Sequence, residues 1–166
     1  RFNMETGAVG QPRQALIERL REVVGSGGKR VYAFSTHPYP AFPTLNYVPA
    51  ESASTLVCQY AFSAHIKRDW PRYAPRRADI DRGVELQRQL VLREFLQQPP
   101  DIVLINTLTP RSSRKSGPFD FVGFFSSDPR FAALWREYRE LEPVNEIRIF
   151  VREPRTGPSL TAQVGG

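Results

Sequence analysis

Between Pro12 and Val24 the apolar side chains Leu16, Ile17, Leu20, Val23 and Val24 recur at the spacing that gathers them on one face of a helix. Pro12 suits the first turn, and Gly25 suits the stop. Lys29 to Ser35 then reads as a strand. His37 to Pro49 follows as an irregular loop, stiffened by Pro38, Pro40, Pro43 and Pro49 and carrying His37, Tyr39, Phe42 and Tyr47. Ser54 to Phe62 is read as a further strand, although Ala and Gln weaken the pattern. The segment Lys67 to Arg77, basic and broken by prolines around Trp70 and Tyr73, reads as a second loop.

A long helix is expected from an Asp79 cap to about Gln97, with Ile80, Val84, Val91 and Phe95 as its buried stripe. Pro99 and Pro100 end it. Ile102-Val103-Leu104-Ile105 is a continuous aliphatic run of the kind found in the centre of a parallel sheet. After a polar loop from Thr109 to Gly117, Phe121, Phe124 and Phe125 suggest a short helix. Asp128-Pro129 opens another, whose stripe is Phe131, Leu134, Trp135 and Tyr138. A last strand runs from Glu146 to Arg152. This order predicts an α/β three-layer sandwich with a mainly parallel, Rossmann-like sheet and long loops rich in proline and aromatic residues. Residues 1–10 read as disordered or a linker, 11–153 as a single α/β domain and 154–166 as a flexible tail.

Composition narrows the setting. The chain has 166 residues, 40% apolar and 24% charged, which is enough to build one continuous core. No apolar stretch approaches the roughly 20 residues that a membrane span needs. Cys58, the single cysteine, lies in an apolar context and reads as a buried thiol. The chain opens Arg1-Phe2-Asn3 with no signal segment, which points to a piece cut from a longer protein. A net charge of +6 favours an anionic neighbour such as lipid headgroups, a lipid phosphate or nucleic acid.

No complete catalytic constellation stands out. Gly25-Ser26-Gly27-Gly28-Lys29 resembles a phosphate-binding loop in composition, but it leaves a helix and enters a strand, the reverse of the order that aims helix amides at an anion. His37 and His65 are the only histidines, and neither has a second ligand at metal-binding spacing. Thr36 and His37 are neighbours on an extended chain and point to opposite faces, so they make no nucleophile and base pair. No cofactor is expected. Strand ends are where open α/β sheets bind ligands. The candidate binding residues are therefore His37, Tyr39, Phe42 and Asn46 after the first strand, and Asn106, Arg111, Arg114 and Lys115 after the central one. Lys67, Arg68, Arg72, Arg76 and Arg77, interleaved with Trp70 and Tyr73, form either a solvated loop, an RNA-binding strip or an anchor beside a membrane.

Three stretches together carry a family likeness: Ser35-Thr36-His37-Pro38-Tyr39-Pro40-Ala41-Phe42-Pro43 with Asn46-Tyr47, then Pro100-Asp101-Ile102-Val103-Leu104-Ile105, then Gly117-Pro118-Phe119-Asp120-Phe121 through Asp128-Pro129-Arg130-Phe131. The pattern, over about Lys29 to Arg152, resembles the soluble C-terminal domain of bacterial polytopic membrane proteins classed with the dolichyl-phosphate-mannose protein mannosyltransferase-like glycosyltransferases. The resemblance implies a non-catalytic accessory domain on the periplasmic side of the inner membrane. Its expected partners are the membrane-spanning part of its parent and a polyprenyl-phosphate-linked sugar or anionic lipid headgroups. The resemblance places the catalytic carboxylates in the parent's membrane portion and none here. An independent α/β enzyme using a small molecule or nucleotide is the alternative, and a nucleic-acid-binding module ranks below it.

Overall fold

The computed structural model describes residues 11–107 and 118–153. Among these residues five α-helices and five strands follow one another as α1 (Gln11–Val24), β1 (Lys29–Phe34), β2 (Ala50–Ser52), α2 (Tyr60–His65), α3 (Arg77–Gln97), β3 (Ile102–Asn106), α4 (Phe121–Phe125), α5 (Pro129–Trp135), β4 (Tyr138–Val144) and β5 (Ile147–Arg152). The strands form one sheet in the order β2-β1-β3-β5-β4. β1 pairs in parallel with β2 and with β3, whereas β5 pairs antiparallel with both β3 and β4.

The mainly parallel, Rossmann-like sheet expected from the sequence is therefore wrong: half the strand pairings are antiparallel. Of the two unforeseen strands, β2 pairs in parallel, and β4 is the cause. Tyr138 was expected to extend the stripe of the last helix, but that helix ends at Trp135 and Tyr138 opens β4. The chain then turns back tightly through Asn145, whose φ of 51° is the left-handed conformation asparagine tolerates. β5 therefore returns antiparallel beside β3 instead of arriving by a parallel crossover. The expected strand at Ser54 to Phe62 is also absent: Ser54 to Gln59 form bends and irregular backbone, and Tyr60 to Phe62 open α2. α3 begins at Arg77, so Asp79 sits inside the first turn rather than capping it, and pairs with Arg82.

Pleating divides the core in two. On β1, Val31 and Ala33 face one side while Tyr32 and Phe34 face the other. β3 repeats the division with Ile102 and Leu104 against Val103 and Ile105, and β5 with Ile147 and Ile149 against Phe150. The first side is aliphatic and is covered by Leu16, Ile17, Leu20 and Val24 of α1 together with Ala41, Leu45 and Val48 of the proline-rich loop. The second is aromatic and is covered by Phe62 of α2, Val84, Val91, Leu92 and Phe95 of α3, Phe121 and Phe125 of α4 and Phe131 of α5. Phe34 lies at the centre of the rings, with centroids 5.3–6.4 Å from those of Phe95, Phe121, Phe125 and Phe131. The expected cap at Asp128 is present: its side chain accepts from the Arg130 amide, and the Arg130 guanidinium beside it holds the carboxyl down at about 2.

Candidate functional site

β1 and β3 run parallel, so Ser35, Thr36 and His37 leave the sheet on the same side as Asn106 and Thr107. The segment from β1 to β2 packs on the aliphatic face, and α2 and α3, which lead to β3, pack on the aromatic face. Such a divergence leaves a crevice at the strand ends of an open sheet. Here it is filled by the protein. Ser35 Oγ donates to the Tyr39 carbonyl at 2.7 Å and accepts from the His37 amide at 3.1 Å and from Asn106 Nδ2 at 3.2 Å. Asn106 Nδ2 also lies 3.4 Å from the Tyr39 carbonyl. One buried hydroxyl thus ties the start of the proline loop to the end of the central strand.

A second brace comes from Gln59, which is wholly buried. Its Oε1 accepts from the Ser35 amide at 2.7 Å, its Nε2 donates to the Ala33 carbonyl at 3.1 Å, and its own backbone amide donates to the Ser35 carbonyl at 2.8 Å. The side-chain amide does for the end of β1 what a paired strand does, supplying one donor and one acceptor where β2 has already ended. Nothing in the sequence marked Gln59 for this task, since it stood inside a stretch that read as a strand.

The sequence-predicted residues divide by place. His37 and Asn46 are exposed on the loop. Tyr39 is half-buried, with the Arg13 guanidinium 6.0 Å from its ring centre, and burial raises its hydroxyl above the usual tyrosine value. Phe42 packs against the aliphatic core, so it supports the loop from beneath. Asn106 is buried in the brace. Tyr47, beside Asn46, is 46% exposed, and its carbonyl accepts from Arg21 Nε of α1 at 3.0 Å. Thr107 is occupied with the Glu146 carbonyl, which its amide and hydroxyl reach at 2.9 and 2.8 Å. Arg111, Arg114 and Lys115 lie outside the described residues, as do the linker assigned to 1–10 and the tail assigned to 154–166. The loop therefore presents His37, Asn46 and Tyr47 from a fixed frame.

Elsewhere the glycines between α1 and β1 make a helix stop. The Gly25 amide donates to the Arg21 carbonyl, and Gly25, Gly27 and Gly28 all have positive φ. Cys58 is buried, and desolvation pushes its thiol up. Open grooves lie away from the Ser35–Asn106 crevice, one of about 430 Å³ beside Arg88, Arg93, Asp128 and Arg130 and another of about 410 Å³ at the end of β2 beside Arg30, Ser54 and Glu94. The Glu94 carboxylate in the latter is taken up by the Thr55 amide and by the hydroxyls of Ser54 and Thr55. A third groove of about 390 Å³ adjoins His65, Arg68, Asp69 and Phe119. His65 Nδ1 is buried there without a hydrogen bond, 4.0 Å from Asp81 Oδ1, and burial followed by the nearby Arg68 lowers its pKa against the opposing pull of Asp81 and Asp69.

Among the described residues no three histidine, cysteine or acidic side chains gather where they could hold a metal ion, and no helix is long and apolar enough to cross a membrane. No protein-family model matches the chain, and neither a curated protein nor a solved structure matches it significantly.

Proposed function

We propose that this chain is a non-catalytic, extracytoplasmic accessory domain of a membrane glycosyltransferase-like protein of the bacterial inner membrane, and that the 37–47 loop helps hold an acceptor or a polyprenyl-phosphate-linked sugar. The observation that carries the reading is the double brace at the end of β1. Ser35, Asn106 and Gln59 satisfy the backbone at the root of the loop, so its rim offers an imidazole, an amide and a phenol ring at little further cost in ordering. Aromatic faces and planar amides suit the C–H faces and hydroxyls of a sugar ring. Arg13 and Arg21 of α1 beside Tyr39 and Tyr47 add positive charge for a lipid-linked phosphate. The motif resemblance along the loop after β1, along β3 and along α4–α5 supports the same assignment.

The test is transfer from a polyprenyl-phosphate-linked sugar by the membrane-embedded parent, with His37→Ala and Tyr47→Ala introduced together. The expected result is a KM raised severalfold with kcat nearly unchanged, while the melting temperature of the 166-residue chain stays where it was. The chain alone is expected to transfer no sugar. Turnover by the chain alone, an unchanged KM, or an activity loss that merely follows a lower melting temperature would each overturn the reading.

A further inference from the structure

α2 and α3 form an antiparallel helical hairpin, with Ala61 set beside Gln87 and His65 beside Asp81. Its inner side gives Phe62, Val84, Val91 and Phe95 to the core. Its outer side exposes three apolar residues among charged ones: Val57 is 50% exposed, Tyr60 62% and Leu86 69%. The Gln87 side chain bridges the Ala61 amide and the Cys58 carbonyl, which sets the 57–60 turn alongside Leu86 on the neighbouring helix. Three apolar side chains are thus exposed on the hairpin and on the turn that leads into it.

The tip of the same hairpin, residues 66–76, is cationic in a way that the raw charge count hides. The acidic groups of the hairpin are already engaged: Asp69 with Arg77, Asp81 with Arg68, Asp79 with Arg82 and Glu85 with Arg88. Lys67, Arg72 and Arg76 have no ion-pair partner among the described residues. Arg72 instead lies over the Tyr73 ring at 4.6 Å, and Trp70, between Lys67 and Arg72 in the sequence, is half-buried. Unpaired cations with Trp and Tyr at one end, and bare aliphatic and phenolic groups along the side, match the two layers of a lipid surface.

We infer that the outer face of the α2–α3 hairpin docks on an anionic phospholipid bilayer, with Val57, Tyr60 and Leu86 entering the headgroup region and Lys67, Arg72 and Arg76 meeting lipid phosphates. Nucleic acid fits less well, because Leu86 and Val57 offer no ring on which a base can stack. The inference does not rest on the glycosyltransferase reading, as a chain of any activity with this face would bind the same surface.

Co-sedimentation of the 166-residue chain with phosphatidylglycerol–phosphatidylcholine vesicles and with phosphatidylcholine vesicles alone tests it. The chain is expected to pellet with the mixed vesicles at low salt and to release as salt rises. Each cation near the surface contributes about fivefold in partitioning, so Lys67→Glu, Arg72→Glu and Arg76→Glu together are expected to weaken binding at least on the order of a hundredfold. Leu86→Asp with Tyr60→Ser is expected to weaken it with the salt dependence retained. Equal binding to both vesicles, binding to neither, or an undiminished triple variant overturns the proposal. So does binding to single-stranded RNA without binding to vesicles. The unaltered chain on the two vesicle types decides the matter even where a variant folds poorly.

Discussion

The two faces of the sheet are built from different materials. The buried members of one are rich in rings, with Tyr32, Phe34, Phe62, Phe95, Phe121, Phe125, Phe131 and Phe150, and four helices supply its cover. The other is aliphatic, and a single helix covers only part of it, so Ala41, Leu45 and Val48 of the proline-rich loop complete the layer. A loop that serves as core on its inner side has to be held still, and polar braces cluster at its root; the rim proposed for binding would gain the same rigidity. On the aromatic face rigidity comes from packing, and on the aliphatic face part of it comes from hydrogen bonds.

The largest expected effect lies on the aromatic face. Phe34→Ala empties the centre of the ring cluster and is expected to cost about 3–5 kcal/mol, read by urea unfolding. Leu45→Ala asks whether the loop is a true layer. Its side chain is 7% exposed, and a loss of about 2–4 kcal/mol is expected if the loop is core, against well under 1 kcal/mol if it only rests on the surface. Gln59→Leu keeps the bulk and removes the amide, leaving the Ala33 carbonyl and the Ser35 amide without their partners. A loss of about 1–3 kcal/mol is expected, with faster amide exchange confined to the end of β1 and the loop.

The smallest expected effect concerns pH. His65 has a pKa lowered in the folded state, mainly by burial, and faces Arg68, Asp69 and Asp81. Above the unfolded value of about 6.5 both states are neutral and the residue has no influence on pH dependence. As pH falls below that value the unfolded chain takes up the proton first, so stability declines until the folded pKa is passed. His65→Gln is expected to flatten this part of the melting-temperature profile between about pH 7 and 5. An unchanged slope would show that His65 is as well solvated in the fold as in the open chain.

Elements with a clean period were legible in the sequence. The stripe of α1, the stripe of α3 and the unbroken run of β3 each state their own geometry, because one repeat decides which face is buried. β4 was illegible for a physical reason. Tyr138 packs on the aromatic side and Leu141 and Val144 on the aliphatic side, and a bulge between Leu141 and Val144 shifts the register so that those two share a face, which leaves no clean alternation to read. Tyr138 also continued the helical spacing from Leu134 and Trp135, and its ring does stack on Trp135, with centroids 5.0 Å apart, though from a strand. Its hydroxyl donates to the Pro100 carbonyl at 2.7 Å, a contact between residues far apart in the chain that no local pattern encodes. The same holds for the candidate site. The sequence placed Ser35 and Asn106 at neighbouring strand ends, whereas the part played by Gln59 depends on where α2 begins, which propensity did not settle.

The borders of the sheet carry a consequence for how this chain meets others. β2 is three residues long and follows Pro49, and β4 is kinked by its bulge, interrupted by Pro143 and lined with exposed Arg139, Glu140 and Glu142. Neither margin offers the long, flat row of free amides and carbonyls on which another strand can assemble. Extended peptides are therefore poorly placed to join this sheet by backbone pairing, and copies of the chain gain little by zipping edge to edge at high concentration. Recognition is left to side chains on loops and helices, where single substitutions can tune it without disturbing the sheet.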